Sequence, residues 1–353
     1  VNGAIGDNFR LVVQSFLKFG DYTIKVLTNQ ETGMSGGGKL EVCPIRFRRE
    51  NVFDFINPIS YIRIYKYIKF SKYDKILILS PHPVNMFITK FIHLQKTYFY
   101  LHDNEPHSGF PKLDLFFFSR QLDFIYKSKA HIIVSSNFMK EDILKRRPYV
   151  DIHRISVIYL GALENLQYSF EDNDTSQTDI LFFGRLEYYK GLDILFDANK
   201  YTKGTYNYII IAKGDLLATF CLKELPQNFI HINRYVSDKE LARYINTSKI
   251  VVMPYRDATG TQVIQTAFFY EKPIVASNVG CFAEYITDGV DGIIVKKEDS
   301  QELAKALDWL MDNDQIRRAM GHRGKEKLGS MFSNRKILDQ YIELLDDKPK
   351  KRT

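Results

Sequence analysis

Short continuous apolar runs alternate along this chain with longer stretches in which apolar residues recur every three or four positions. Runs rich in β-branched and aromatic residues, bounded by glycine or polar turns, predict buried strands, and the helical period between them predicts helices. In the first half the runs fall at residues 23–28, 76–80, 97–101, 131–134 and 155–160. In the second half they fall at 180–183, 208–212, 229–232, 250–253 and 273–277, with helices predicted over 192–199, 241–247 and 263–270. Ser135-Ser136-Asn137 reads as a helix cap and Ser237-Asp238-Lys239-Glu240 as a capping box. The alternation predicts an α/β fold, a parallel sheet with helices on both faces, built twice over with a cleft between the halves. Between residues 164 and 177 the period dissolves into polar and acidic residues, including Glu171-Asp172-Asn173-Asp174, and the domain boundary is expected there.

Three stretches fit this pattern less simply. The chain opens with a glycine-bearing loop and a helix ending near Gly20, with no strand before them, so it is expected to begin just inside its first unit. Residues 33–38, containing Gly36-Gly37-Gly38, lack the Gly-Lys-Ser/Thr ending of a phosphate loop and are read as a connection. Residues 61–75 interleave Arg63, Lys66, Lys69, Lys72 and Lys75 with tyrosines, isoleucines and Phe70. As a helix this stretch has a broad apolar face fringed by cations, which suits a core-facing surface helix or one lying on anionic lipid.

Composition narrows the class. With 353 residues, 45% hydrophobic and 26% charged, the chain suits two soluble domains. No run approaches the roughly 20 apolar residues that span a bilayer, and no signal-peptide pattern opens the chain, so a cytoplasmic location is expected. Cys43, Cys221 and Cys281 are scattered, which points to neither a disulfide framework nor a zinc site, and no metal is expected. The net charge of +7 favours an anionic partner; no nucleic-acid-binding module accompanies it.

The candidate chemistry sits where strands end. The segment I-L-F-F-G-R-L-E-Y-Y-K-G at 180–191 runs from a strand into Gly184, and then places Arg185 and Lys190 at the turn and the mouth of the next helix. Two cations and free amides converging there form a plausible diphosphate clamp. The run at 97–101 enters His102-Asp103-Asn104-Glu105-Pro106-His107-Ser108-Gly109, and the run at 76–80 enters Pro81-His82-Pro83. In a parallel sheet ligands bind at the carboxyl ends of strands, so the polar cluster after residue 101 is the second candidate.

These words, in this order, resemble the retaining glycosyltransferases of the GT-B fold, specifically the large family four that uses nucleotide sugars. The matching segments are F-G-R-L-E-Y-Y-K-G-L-D at 183–193, Y-V-S-D-K-E-L at 235–241, V-V-M-P-Y at 251–255, K-P-I-V-A-S-N-V-G at 272–280, E-Y-I at 284–286 and D-G-V-D-G at 288–292. The resemblance implies two Rossmann-like domains facing across a cleft. Residues 1–163 would form the acceptor-side domain, 164–178 a linker and 179–330 the nucleotide-sugar-binding domain. Residues 331–347 would be a helix crossing back, and 348–353 a basic tail. It assigns Arg185 and Lys190, with Gly184, Thr259, Gly260 and Thr261, to the donor diphosphate. Tyr235, Val236, Tyr255, Gln265 and Thr266 are assigned to the nucleoside, and His102, Asp103 and Asp257 to catalysis.

One departure stands out. The family has two glutamates with seven residues between them before K-P-I-V-A; Ala258 and Thr266 occupy those positions here. Asp257 beside the first, and Gln265 or Thr266 at the second, are the expected substitutes in a divergent active branch. The resemblance implies transfer of a sugar from a nucleotide diphosphate donor, a UDP-sugar slightly favoured, to a saccharide or lipid-linked acceptor with retention and without metal or other cofactor. Bacterial surface polysaccharide synthesis is the expected setting, with peripheral contact to the anionic inner face of the membrane through residues 61–75 and the tail. Two other classes stay open: a GT-B nucleotide-sugar epimerase using His102, Asp103 and Glu105 as acid and base, and a non-catalytic nucleotide-sugar-binding subunit.

Overall fold

The computed structural model describes residues 12–14, 16–17, 22–28, 40–44, 58–79, 87–105, 112–162, 166, 168–170 and 178–345. The opening loop, the triple glycine, Pro81-His82-Pro83, His107, most of the polar boundary segment and the basic tail lie outside these residues.

The first unit is built on a four-stranded parallel sheet in the order β3-β4-β5-β6, comprising Ile76–Ile78, Thr97–Leu101, His131–Val134 and Ile155–Val157. A separate parallel pair joins β1 (Ile24–Thr28) to β2 (Leu40–Pro44). Strand alternation sorts the larger sheet's side chains between two cores. Phe99, Leu101, Ile132 and Val134 pack on one face with Leu122, Ile125 and Tyr126 of α2 (Lys112–Lys127) and Met139 and Ile143 of α3 (Asn137–Arg146). Tyr98, Tyr100 and Ile133 pack on the other with Val12, Phe16 and three residues of the C-terminal helix, Ile337, Leu338 and Tyr341. The last described helix, Asn334–Leu345, therefore shares its core with the first sheet.

The basic aromatic stretch forms α1, Pro58–Phe70. Ile64 and Ile68 turn inward while Ile59, Ile62 and Phe70 remain exposed among Arg63, Lys66 and Lys69. Strand β6 stops at Val157, short of the residue 160 expected from the apolar run. Ile158 and Leu160 are still buried, but against the face shared with the C-terminal helix, so burial continues where sheet pairing has ended.

The second unit is a six-stranded parallel sheet in the order β12-β11-β10-β7-β8-β9. Its strands are β7 (Thr178–Phe183), β8 (Tyr208–Ile211), β9 (Phe229–Ile232), β10 (Ser248–Met253), β11 (Ile274–Ser277) and β12 (Gly292–Val295). The order reverses between β7 and β10, and a doubly wound sheet opens a crevice at such a switch point. Ser237 caps the following helix, Asp238–Thr247, by accepting from the Glu240 amide. The capping box is only half made, because the Glu240 carboxylate pairs with Arg234 at 2.5 and 2.9 Å instead of reaching back.

The ends of β7 and β10 are locked together at the crevice. A 3-10 turn, Tyr188–Lys190, ends at Gly191, whose φ of +67° is left-handed. An added Cβ there would lie 1.9 Å from the Pro254 carbonyl oxygen, so both backbone angle and proximity require glycine. Gly191→Ala is expected to cost about 2 kcal/mol or more. Urea denaturation checks this; a midpoint unchanged from wild type would contradict the close approach.

Candidate functional site at the cleft between the two units

Strand β7 delivers its chain into the crevice through Gly184, at φ +145°, whose amide donates to the Ile211 carbonyl at 3.0 Å. The turn that follows is fixed from β10. Arg256 N donates to the Tyr189 carbonyl at 2.7 Å, and its guanidinium forks onto Asp193 at 2.6 and 2.8 Å and reaches Glu298 at 2.9 Å. That guanidinium also lies 4.4 Å from the Tyr188 ring centre. Arg256 is thus consumed in holding the turn.

The turn presents Lys190 inward. Its Nζ sits 3.9 Å from the centre of the Tyr255 ring and 5.2 Å from that of Tyr189. Burial pushes the ammonium down to about 7, and the neighbouring positive charge of Arg185 pushes the same way. The two rings compensate part of the lost hydration through their π-faces. Arg185 itself is exposed and donates to the Tyr189 hydroxyl at 3.4 Å. Lys190 is therefore a cation held at the edge of neutrality, where an arriving anion stabilises its charged form most.

Across the cleft, β4 ends in His102 and Asp103. His102 Nε2 is 3.0 Å from the Leu79 carbonyl oxygen, which fixes the proton on Nε2 and leaves Nδ1 as the acceptor nitrogen. Burial lowers its pKa, so the ring is neutral. Asp103 Oδ1 accepts from the Thr259 hydroxyl at 2.5 Å, and its charge acts on both Arg185 and Lys190. Asp103 and Thr259 thus meet from positions 156 apart in sequence, and Arg185 and Lys190 lie within reach of the Asp103 charge. Glu105 pairs instead with Arg147 at 2.6 Å.

The loop after β10 is spent largely on contacts between the units. An added Cβ at Gly260 would lie 2.7 Å from Ser135 Oγ of the first unit. The Thr261 hydroxyl accepts from the Val263 amide, starting the helix Val263–Phe269. Gln265 is fully buried and donates to the Leu160 carbonyl at 3.0 Å, and Gln262 donates to that of Gly161 at 3.1 Å. Thr266 returns its hydroxyl to the Gln262 carbonyl at 2.7 Å. Ala258 is buried and Asp257 exposed. Tyr255 lies beneath Lys190 with 1% of its surface exposed, whereas Tyr235 is 79% exposed and carries Lys213 Nζ 4.7 Å above its ring. Val236 is half-buried against the core of the second unit.

The sequence words gave no part to Arg256, Gln262 or Glu284. Glu284 stands in one of the quoted words, but its contacts are with the first unit, and nothing local in the sequence announces them.

Comparison with known proteins identifies what the chain resembles. Residues 168–327 match the family Glycosyl transferases group 1. The capsular polysaccharide biosynthesis glycosyltransferase CapM of Staphylococcus aureus is 23% identical over 286 residues, covering 74% of this chain and 70% of CapM. An uncharacterized glycosyltransferase of Methanocaldococcus jannaschii is 28% identical over 176 residues, covering 49% of this chain, and the match spans about half (48%) of that relative. The crystal structure of Anabaena HepE in complex with UDP and glucose superposes with a TM-score of 0.72 at 16% identity, covering 98% and 96% of the two chains. WaaG, a glycosyltransferase involved in lipopolysaccharide biosynthesis, gives 0.71 at 11% identity, covering 98% and 97%. Residues 168–327 thus carry the group 1 glycosyltransferase family, and the chain as a whole resembles those enzymes in its GT-B fold.

Proposed function

We propose that the chain transfers a sugar from a nucleotide diphosphate sugar to a hydroxyl of a saccharide or lipid-linked saccharide, with retention at the anomeric carbon. The observation that carries this reading is the buried Lys190 beside Arg185 at the switch point of the second sheet, facing His102 and Asp103 across the cleft. As the glycosidic bond to the donor breaks, the departing diphosphate gains negative charge, and fixed cations stabilise that change more than the ground state. Arg185 and Lys190 supply the charge, so the reaction proceeds without metal. Thr259, Gly260 and Thr261 border the same space. Asp103, and the Nδ1 of neutral His102, accept from hydroxyls of the transferred sugar or acceptor. Asp257, exposed at the loop, and Tyr235 with Val236 complete the sugar and nucleoside sides.

UDP is favoured as the carrier because HepE is described with UDP and glucose. Relatives such as CapM and an O-antigen chain mannosyltransferase of Escherichia coli support a bacterial surface polysaccharide as the setting. The enzyme works in the cytoplasm, and α1 rests on the inner membrane face through Ile59, Ile62 and Phe70, with Arg63, Lys66 and Lys69 meeting anionic headgroups. No described helix is long and apolar enough to cross a membrane. A non-catalytic binding subunit is the second reading, favoured by Ala258 and by the internal hydrogen bond of Thr266. The epimerase reading loses Glu105 to its ion pair with Arg147.

UDP and UDP-sugars are expected to raise the melting temperature of the wild type and to leave Arg185→Ala and Lys190→Ala unmoved. No stabilisation by any nucleotide series at millimolar concentration would end the transferase reading, and stabilisation without sugar release from any donor would favour the binding subunit. Phosphate binding needs the Lys190 ammonium, so UDP affinity is expected to fall as pH rises above about 7. The stability effect has the opposite sign. The folded value of about 7 lies below the ordinary 10.5, so the unfolded chain binds the proton through that window and nucleotide-free stability rises with pH across it. Lys190→Met is therefore expected to stabilise the nucleotide-free protein at pH 7 by about 1–3 kcal/mol; a destabilised variant would contradict the strained cation. The protein is also expected to co-sediment with phosphatidylglycerol vesicles at low salt but not with phosphatidylcholine vesicles, and Arg63→Glu with Lys66→Glu should abolish the effect. Equal sedimentation with both lipids, or with neither, would refute the membrane contact.

A further inference from the structure

The two units meet at a carboxylate that the clamp does not use. Glu284 belongs to the short helix Phe282–Tyr285 of the second unit, and its side chain points at the N-terminus of α3 in the first. Oε2 accepts from the Asn137 amide at 2.8 Å and from Asn137 Nδ2 at 3.2 Å; Oε1 accepts from the Phe138 amide. The Tyr159 hydroxyl donates to Oε2 at 3.4 Å. Ser136, the cap of α3, accepts from the Met139 amide. The first amides of a helix have no partner within it. In α3 the first two are satisfied by a carboxylate from the other unit, which also suits the positive end of the helix dipole.

Neighbouring contacts tie the same spot. The buried Tyr285 hydroxyl donates to the Ser135 carbonyl at 2.6 Å, and Ser135 Oγ donates to the Thr259 carbonyl at 3.2 Å. From here a short, stiff path leads to the chemistry. Ser135 directly follows β5, and Val134 of β5 is in register with Leu101 of β4, the residue before His102 and Asp103. Asp103 returns to the second unit at Thr259.

We infer that Glu284 is a positioning residue: by holding the N-terminus of α3 to the second unit, it sets the angle at which His102 and Asp103 face Arg185 and Lys190. Its carboxylate is taken up by the first turn of α3 and by Tyr159. The inference rests on the proposed transferase reading only for the consequence in catalysis; the geometric part stands apart from it. Removing the carboxylate leaves the Asn137 and Phe138 amides without their acceptor, while Asn137 Nδ2 keeps only the Tyr159 hydroxyl at 3.1 Å, and it loosens the hold on the first unit at this end of the seam. A glutamine in its place meets the Asn137 and Phe138 donors with only one oxygen and turns a donor toward the other.

The test uses the full chain with spin labels on Lys127→Cys and Lys305→Cys, exposed positions one in each unit, in a Cys43→Ser, Cys221→Ser background that keeps the buried Cys281. Wild type should give one narrow distance distribution, and Glu284→Ala and Glu284→Gln a broadened or displaced one. Ser136→Ala, which weakens the cap of α3 without cutting the contact between units, is the control and should lower the melting temperature while keeping the wild-type distance. With UDP-glucose as probe and water as acceptor, release of UDP should fall on the order of 10- to 100-fold in the Glu284 variants while UDP affinity stays within about twofold. Distances in Glu284→Ala and Glu284→Gln identical to wild type would overturn the inference, as would a Ser136→Ala distance that shifts as far as theirs. If wild type neither binds UDP nor releases it from UDP-glucose, the donor assignment fails, and the distance measurement still decides the role of Glu284.

Discussion

The structure turns on a buried lysine whose lost hydration the nearby carboxylates of Glu187 and Asp103 offset only in part. Lys190 stands on the face of Tyr255 and beside Tyr189, and burial brings its ammonium down to about 7. A solvated cation would bind phosphate only weakly, because water competes for it; a desolvated one binds strongly once an anion arrives. Maintaining it requires a rigid surround. Gly191 pressed against the Pro254 carbonyl supplies part of that rigidity, and Arg256, spanning Asp193, Glu298 and Tyr188, supplies the rest. The switch point of a doubly wound sheet is where these pieces meet, since β7 and β10 are adjacent there but their helices diverge.

A clamp on one unit is half of a transferase site. The other half, His102 and Asp103, arrives on the first sheet, and hydrogen bonds along the interface decide where it stands. Asp103 to Thr259, Ser135 to the Thr259 carbonyl, Gln262 and Gln265 to the residues leaving the first sheet, and Glu284 to α3 form one continuous polar seam. Polar contacts of this kind are directional, so they fix an angle that apolar packing would leave loose. The side-chain carbonyl oxygens of the two buried glutamines make no hydrogen bond within the described residues, so each glutamine contributes to the seam through its amide donor.

Much of this was legible in the sequence because parallel strands buried on both faces read as continuous apolar runs. Strands 97–101 and 131–134 coincide with their runs for that reason. The run at 155–160 overstated its strand, since Ile158 and Leu160 stay buried against the C-terminal helix after leaving the ladder. Arg185 and Lys190 stood out because glycine and cations at a strand end are a local signal. Tyr255 was read as a nucleoside contact, and hydropathy had no means of showing that its ring lies under Lys190. Glu284 and Gln265 were beyond reach for a different reason: their partners lie 147 and 105 residues away, and no periodicity encodes a contact between separately folded units.

The most direct test of the account is a crystal structure of the protein grown with UDP. Diphosphate oxygens are expected within about 3 Å of Lys190 Nζ and of the Arg185 guanidinium, with the nucleotide in the crevice between β7 and β10. A diphosphate bound elsewhere, with Lys190 still resting on Tyr255 and touching no phosphate, would contradict it.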